Sequence, residues 1–350
     1  MRIQKEHYGR FKDSDIDLYH LIHDNGSLVS ITNFGGLITS IRVPDRSGEL
    51  ADVVLGYDTL DEYIDDRIYI GSLVGRYANR IRDGKVEILG ETYQLSCNRP
   101  SIHLHGGNVG FNKKVWTGEG VERDGGCGVE LALTSPDGEE GFPGTLKVRV
   151  RYLFTPASEL VISYRAETDK PTIVNLTQHS YFNLAGGGSV AGHHLSINGS
   201  HITPVGGDLI PTGALLPVEK TPFNFKNSRR LGAAMAEGHE QKPGGAGFDH
   251  NYVLDTNGDL SRVAASVCEP VSGRTMEVRT TKPGLQLYTG NYLNGTLRGR
   301  GGATFDQHGA LCLETQYYPD SPNQPTFPSP VLLPGETYRH TTIYRFGCRG

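Results

Sequence analysis

The 350-residue chain predicts an all-β protein, antiparallel and with few short helices. Three observations carry that reading. Apolar and polar residues alternate with a period of two in segment after segment, the spacing of half-buried strands. Glycine (46 residues) and proline (19) recur between those segments, as turns joining short strands require. Helical periodicity is weak, and no βαβ alternation, internal repeat or low-complexity linker interrupts the pattern. The expectation is one domain over residues 1–350, with two or more packed sheets.

In chain order, Val29 and Ile31, then Leu37, Ile41 and Val43, flank Gly35-Gly36 and read as two strands and a turn. Asp58 to Asp65 reads as a short helical turn. Val86 and Ile88, then Tyr93 and Leu95, flank Leu89-Gly90 as a hairpin. Leu146, Val148, Val150 and Tyr152 alternate with Lys147, Arg149 and Arg151, so that strand keeps one wet face. Leu160, Ile162, Tyr164 and Ala166 repeat the pattern after the turn residues Thr155 to Ser158. Ser228 to Glu237 reads as a second helical turn with Ser228 as its N-cap. Gly238 to Gly247, rich in glycine and polar residues, is expected to be a mobile surface loop.

A formal charge of -5, a pI near 6.2 and no run of like charge argue against a nucleic-acid surface. Met1 to Asp15 carries no apolar segment of the signal-peptide kind, and no stretch has the length of a membrane span, so a cytoplasmic protein without a membrane partner is expected. Cys97, Cys127, Cys268, Cys312 and Cys348 are scattered, with no CxxC pair, and read as reduced thiols rather than a disulfide or metal framework.

Five segments set polar residues inside apolar strands or Gly-rich corners: Gly75-Arg76-Tyr77-Ala78-Asn79-Arg80, His103-Leu104-His105-Gly106-Gly107, Asn175 to Asn183, Gly247-Phe248-Asp249-His250-Asn251, and Leu313-Glu314-Thr315-Gln316. Polar groups so placed are hydrogen-bonded or line a cavity. Singly, each is ambiguous. His105 suits a satisfied structural histidine, and His179 suits a core hydrogen bond as well as it suits catalysis. Asp249 suits a turn cap. Glu314 follows the apolar run Ala310 to Leu313, where a glutamate needs a partner or a function. Arg76 and Arg80, near Leu73, Val74 and Ala78, are expected to be partly buried.

Two other chemistries compete. His103-x-His105 would put two imidazoles on one face of a strand, a start for a metal site. However, Val109 and Gly110 stand where such sites bring a glutamate, and His193-His194 would face opposite ways. Asp249 and Glu314 would serve as the carboxylate pair of a glycoside hydrolase, a scheme with no place for His179.

Taken together, the segments resemble the aldose 1-epimerase family, typified by galactose mutarotase, over essentially the whole chain. Gly75 to Arg80, Leu104 to Gly107, Gly110 to Trp116, Gly141 to Gly144, Thr177 to Leu184, Gly247 to His250, Leu313 to Gln316 and Pro319 to Gln324 match its signatures in order. Asn112 and Gln178 depart from the commoner Asp and Asn at positions without an assigned catalytic role. The resemblance implies a large antiparallel β-sandwich that interconverts the α and β anomers of a free aldohexose without cofactor or metal. It assigns Glu314 as base on the C1 hydroxyl, His179 as acid at the ring oxygen O5, and His105 as a second hydrogen-bonding group at O5. Asn79, Arg80, Asp249, Gln286 and Tyr181 would hold the sugar. Neighbouring carboxylates are expected to favour the protonated form of His179. A relative acting on hexose 6-phosphates would need cations beyond Arg76 and Arg80. The expected partner is a small-molecule sugar, and the expected state a monomer or homodimer.

Overall fold

Strand burial follows the alternation closely. In Leu146–Phe154, Leu146, Val148, Val150 and Tyr152 are buried, while Lys147 and Arg149 are exposed. The computed structural model describes residues 1–242 and 247–349, and three antiparallel sheets dominate it. The largest has nine strands, in the spatial order Thr117–Arg123, Gly126–Ser135, Leu146–Phe154, Glu159–Thr168, Tyr338–Cys348, Arg274–Thr280, Ala265–Cys268, His194–Ile197 and Arg229–Arg230. A five-stranded meander of Arg2–Phe11, Ser14–Ile22, Leu28–Thr32, Ile38–Pro44 and Leu50–Asp52 forms the second. The third runs Leu216–Pro217, Gly199–Ile202, Asp249–Leu254, Gly284–Tyr288, Cys312–Gln316.

One apolar cluster joins all three sheets: Ile31 and Ile41 from the meander, Val150 and Ile162 from the nine-stranded sheet, Leu285 and Leu313 from the third. Each such side chain contributes about 1.5–3 kcal/mol on full burial, so this shared interior holds the layers face to face. The expected antiparallel sandwich is what forms. No helix among the described residues is long and apolar enough to cross a membrane.

Local elements mostly follow their chemistry. Leu89 (φ 51°) and Gly90 (φ 85°) make a two-residue mirror-image turn between Lys85–Ile88 and Glu91–Gln94, matching the twist of the paired strands. The first short helix is Leu60–Asp65, closed at its start by a reciprocal Thr59–Glu62 capping box. Its C-terminal carbonyls are met from outside: Lys113 Nζ donates to the carbonyls of Tyr63 (2.9 Å), Ile64 (2.9 Å) and Asp66 (2.6 Å). The second helix, Leu231–Ala236, starts later than expected, with Arg230 and not Ser228 at its N-cap. Arg229 and Arg230 are taken up as a strand opposite Leu195 and His194, which leaves the helix nowhere earlier to begin. Of the expected mobile loop at 238–247, residues 243–246 lie outside the described residues.

Arg76 is more deeply buried than its neighbours suggested, at 2% exposure. Its guanidinium donates to the carbonyls of Ser135, Pro136, Pro143 and Gly144 and to Ser135 Oγ, so it staples the 135–144 turn and is not a sugar contact. Arg76→Met strands those acceptors, each worth about 1–3 kcal/mol when left dry. The expected outcome is a loss of at least about 2 kcal/mol, read as a lower urea midpoint at unchanged slope.

Candidate active site

The third sheet owes its chemistry to alternation. Its register sets Asn251 opposite Gln286 and Gln286 opposite Glu314, and Asp249 opposite Tyr288 and Tyr288 opposite Cys312. One face of three adjacent strands therefore carries Asp249, Asn251, Gln286, Tyr288, Cys312, Glu314 and Gln316. The other face sends Tyr252, Leu285, Leu287 and Leu313 into the core. Beside it, Thr177–His179 pairs with Ser72–Val74 and delivers His179 to the polar face.

A pocket of about 430 Å³ opens there, lined by Asn79, Arg80, His105, His179, Tyr181, Asp249 and Glu314, with Tyr69, Tyr288 and Tyr292 among its walls. A larger depression of about 630 Å³ lies on the outer face of the nine-stranded sheet. It gathers arginines such as Arg149, Arg165 and Arg339 but no buried acid–base pair.

Glu314 and His179 meet inside the pocket. Glu314 Oε2 lies 3.6 Å from His179 Nε2, and both side chains are buried. Glu314 Oε2 has no hydrogen-bond partner, an uncommon state for a buried carboxylate oxygen. The His179 ring is pinned on three sides. Tyr181 stacks on it (centroids 5.0 Å, planes 28° apart), His105 meets it edge-on (5.2 Å), and Cys312 Sγ lies 3.6 Å from Nδ1.

His105 is fixed through its backbone. Its N–H donates to the Asn79 carbonyl (3.0 Å), and its Nδ1 accepts from the Asn79 N–H (3.2 Å). Asn79 (φ 66°) and His105 (φ 50°) both sit in the left-handed region, which costs a non-glycine residue about 1–2 kcal/mol. Gly106 follows because a Cβ there would come 1.9 Å from the Gly75 carbonyl oxygen. The left-handed step also breaks the expected alternation. His103 goes its own way, its Nδ1 against the Ser96 carbonyl (2.7 Å) and its ring edge-on to Phe142, so the two imidazoles of His103-x-His105 do not converge.

Burial sets the proton affinities. Desolvation pulls His179 down to about 4; Asp249 favours the protonated form, as expected of a nearby carboxylate, but burial outweighs it. Desolvation, reinforced by Asp249 and opposed by Arg80, pushes Glu314 well above the usual carboxylate range. The burial of both thus favours a neutral acid beside a neutral imidazole, one proton for two groups. His105, Glu314 and His179 also bring ligand atoms within 4.8 Å of one another, a set that could hold a divalent cation.

Asp249 Oδ2 faces Arg80 Nη2 at 3.8 Å, and Asp249 Oδ1 accepts from Gln286 Nε2 at 2.7 Å. Gln286 does not line the pocket. Its carbonyl oxygen accepts from Gln316 Nε2 (3.2 Å), so both ends of the amide are held, with one Nε2 hydrogen left over. The Tyr181 hydroxyl donates to the Ile68 carbonyl (2.8 Å), and Tyr181 is part of the pocket wall. Tyr69 (ring 4.6 Å from His105) and Cys312 were not singled out by sequence. Cys312 carried a signal, since it stands two residues before Glu314 and so shares its face. Tyr69 lies in an aperiodic corner and carried none.

A family model described as "Aldose 1-epimerase" matches residues 17–345. The chain is 47% identical over 320 residues to galactose mutarotase of Mus musculus, covering 91% of this chain and 90% of that one. It is 37% identical over 332 residues to aldose 1-epimerase of Escherichia coli (strain K12), covering 94% of each. Among solved structures, galactose 1-epimerase from Lactobacillus acidophilus NCFM superposes with a TM-score of 0.88 at 28% identity, over 100% of this chain and 99% of that one.

Proposed function

The chain belongs to the aldose 1-epimerase family, and on that premise we propose that it interconverts the α and β anomers of free aldohexoses such as galactose and glucose. Glu314 is the base on the C1 hydroxyl and His179 the acid at O5. The observation that carries this reading is the unpartnered Glu314 Oε2 lying 3.6 Å from His179 Nε2 in one pocket. O1 and O5 are bonded to the same carbon, so groups that serve both must be neighbours, side by side and not across the ring.

Ring opening starts from carboxylate and imidazolium. Glu314 takes the proton from the C1 hydroxyl, the C1–O5 bond breaks as C1=O forms, and His179 gives its proton to O5. The pair is then carboxylic acid and neutral imidazole, the state that burial favours, so the site supports the open aldehyde. Rotation about C1–C2 turns the other face of the carbonyl to O5, and the same transfers in reverse close the ring. Each positioned group contributes about 10²–10⁴-fold.

His105 bonds at O5 and steadies charge there. Asn79, Arg80 and Asp249 hold hydroxyls, Tyr181 supplies a wall, and Gln286 holds Asp249 with one amide hydrogen and offers the other to the sugar. The reading treats residues 1–350 as one domain, working as a monomer or homodimer. The five cysteines are free, in keeping with a reducing compartment such as the cytoplasm. Polarimetry of fresh α-D-galactose and α-D-glucose, with and without chelator, is the test. Rotation should relax far faster than in buffer, with no change on chelation. A buffer-like rate sinks the reading, and a chelator-sensitive one reassigns His105, His179 and Glu314 to a cation.

A further inference from the structure

The signature stretch Pro319 to Gln324 has no part in the chemistry above, yet it holds a carboxylate that is completely buried, that of Asp320. Three neutral donors meet it: the Arg82 N–H (3.0 Å) and Asn323 Nδ2 (2.7 Å) at Oδ1, and Gln324 Nε2 (3.1 Å) at Oδ2. The Asp320 N–H in turn donates to the Arg80 carbonyl (2.7 Å). Asp320 sits in the left-handed region (φ 57°), which aspartate tolerates better than most side chains.

What Asp320 replaces is a strand. Arg80–Arg82 forms a two-stranded sheet with Ile102–Leu104, which leads into His105. The His105 N–H bonds to the Asn79 carbonyl (3.0 Å) and the Asp83 N–H to the Ser101 carbonyl (2.8 Å), so the odd-numbered residues turn their main-chain groups toward Ile102–Leu104. Arg80 and Arg82 turn theirs to the opposite edge, where no further strand pairs among the described residues. Asp320 brings to that edge one donor and one acceptor, which a third strand would otherwise supply from its backbone.

This clamp joins parts of the pocket that are far apart in sequence. Asp320 follows Glu314 by six residues, and the path between them is pinned. The Tyr317 N–H donates to Asn175 Oδ1 (2.9 Å), four residues before His179, and Tyr77 Oη donates to the Tyr318 carbonyl (3.1 Å). On the other side, Arg80 lines the pocket facing Asp249, and Arg82 pairs with the pocket residue Asp208 (3.0 Å). We propose that Asp320 is a positioning residue for sugar binding: it fixes the Arg80–Arg82 backbone against the Glu314 strand and so sets where Arg80 meets the sugar relative to the base. This rests on the function proposed above, in which Arg80 holds a hydroxyl and Glu314 serves O1. Glu314 and His179 are placed by their own strand pairings, opposite Gln286 and Ser72, so loosening the clamp spares the acid–base pair. The loss therefore falls on KM and leaves kcat, as for contacts made equally before and during the reaction.

The test measures kcat and KM for D-galactose by polarimetry, background subtracted, in the natural protein, Asp320→Ala, Asp320→Asn, Arg80→Gln, and both Asp320 changes in the Arg80→Gln background. Asp320→Ala should raise KM about tenfold, the worth of one misplaced hydrogen bond, with kcat close to that of the natural protein. Asp320→Asn keeps an oxygen for the Arg82 N–H and should restore most of the affinity, leaving KM about threefold raised. With Arg80 already replaced there is no guanidinium left to position, so either Asp320 change should add less than about twofold to KM. A residue that only stabilised the fold would add the same factor in both backgrounds, and that result overturns the inference. So does a loss carried by kcat with KM kept, or an Asp320→Ala variant with natural kinetics. Should Asp320→Ala not fold, Asp320→Asn decides in its place, and an unchanged KM there overturns the inference. In each of these cases the epimerase reading stands, whereas a natural protein without mutarotation overturns both.

Discussion

Glu314→Gln is expected to lower kcat by about 10²–10⁴-fold, the contribution of a positioned base, while galactose still binds. Glutamine keeps the shape of the side chain and both of its polar ends, so the contacts proposed between the sugar and Asp249, Arg80 and Asn79 are not disturbed. What is lost is the carboxylate whose unpartnered Oε2 lies 3.6 Å from His179 Nε2. Calorimetric titration with galactose separates the two effects. Retained affinity with lost turnover supports the base, and unchanged turnover removes Glu314 from the chemistry. Burial raises the proton affinity of Glu314, so ionising it in the folded protein opposes folding at neutral pH, and the neutral amide relieves that cost. The melting temperature of the variant is therefore expected not to fall, which keeps a folding defect from imitating a catalytic one.

The second large effect is on His179. His179→Asn should cost about 10²–10⁴-fold in kcat and should also change the shape of the pH profile. The natural pair works while it holds one proton in total. On acidification a second proton enters at the depressed His179 affinity, leaving no carboxylate to act as base. On alkalinisation the one proton leaves at the raised Glu314 affinity, leaving no acid. The natural protein should thus give a bell, with its acid limb well below neutrality and its basic limb displaced upward from the usual carboxylate range. Without His179, Glu314 alone needs only to be ionised, so residual activity should climb with pH and not descend again. A variant that keeps the bell would show that another group supplies the acid.

Period-two alternation made the sheets legible: the wet and dry faces of Leu146–Phe154 and the Leu89-Gly90 hairpin stand where the pattern put them. The same rule, applied to Cys312-Leu313-Glu314, would have placed Cys312 beside the glutamate. What escaped was set by contacts distant in sequence. Arg76 is buried because the 135–144 turn folds over it, the Leu231–Ala236 helix starts late because strand pairing claims Arg229 and Arg230, and Tyr69 reaches the site from a corner bonded to Asn98, some thirty residues away. His103 and His105 part company at a left-handed residue that strand periodicity does not foresee. Gln286 was legible as a site residue through family resemblance alone; in the structure one of its amide hydrogens goes to Asp249.

The bond from the Asn79 N–H to His105 Nδ1 has a consequence for the two histidines. A nitrogen that receives a main-chain hydrogen cannot itself carry one, so the neutral His105 ring keeps its hydrogen on Nε2. Becoming imidazolium would mean tearing that link. At His179 Nδ1 the neighbour is the Cys312 thiol (3.6 Å) and not a main-chain hydrogen, so the proposed change of charge with every turnover breaks no such link. On the proposed chemistry, two like side chains 5.2 Å apart thereby divide the work: one stays a fixed donor while its neighbour shuttles.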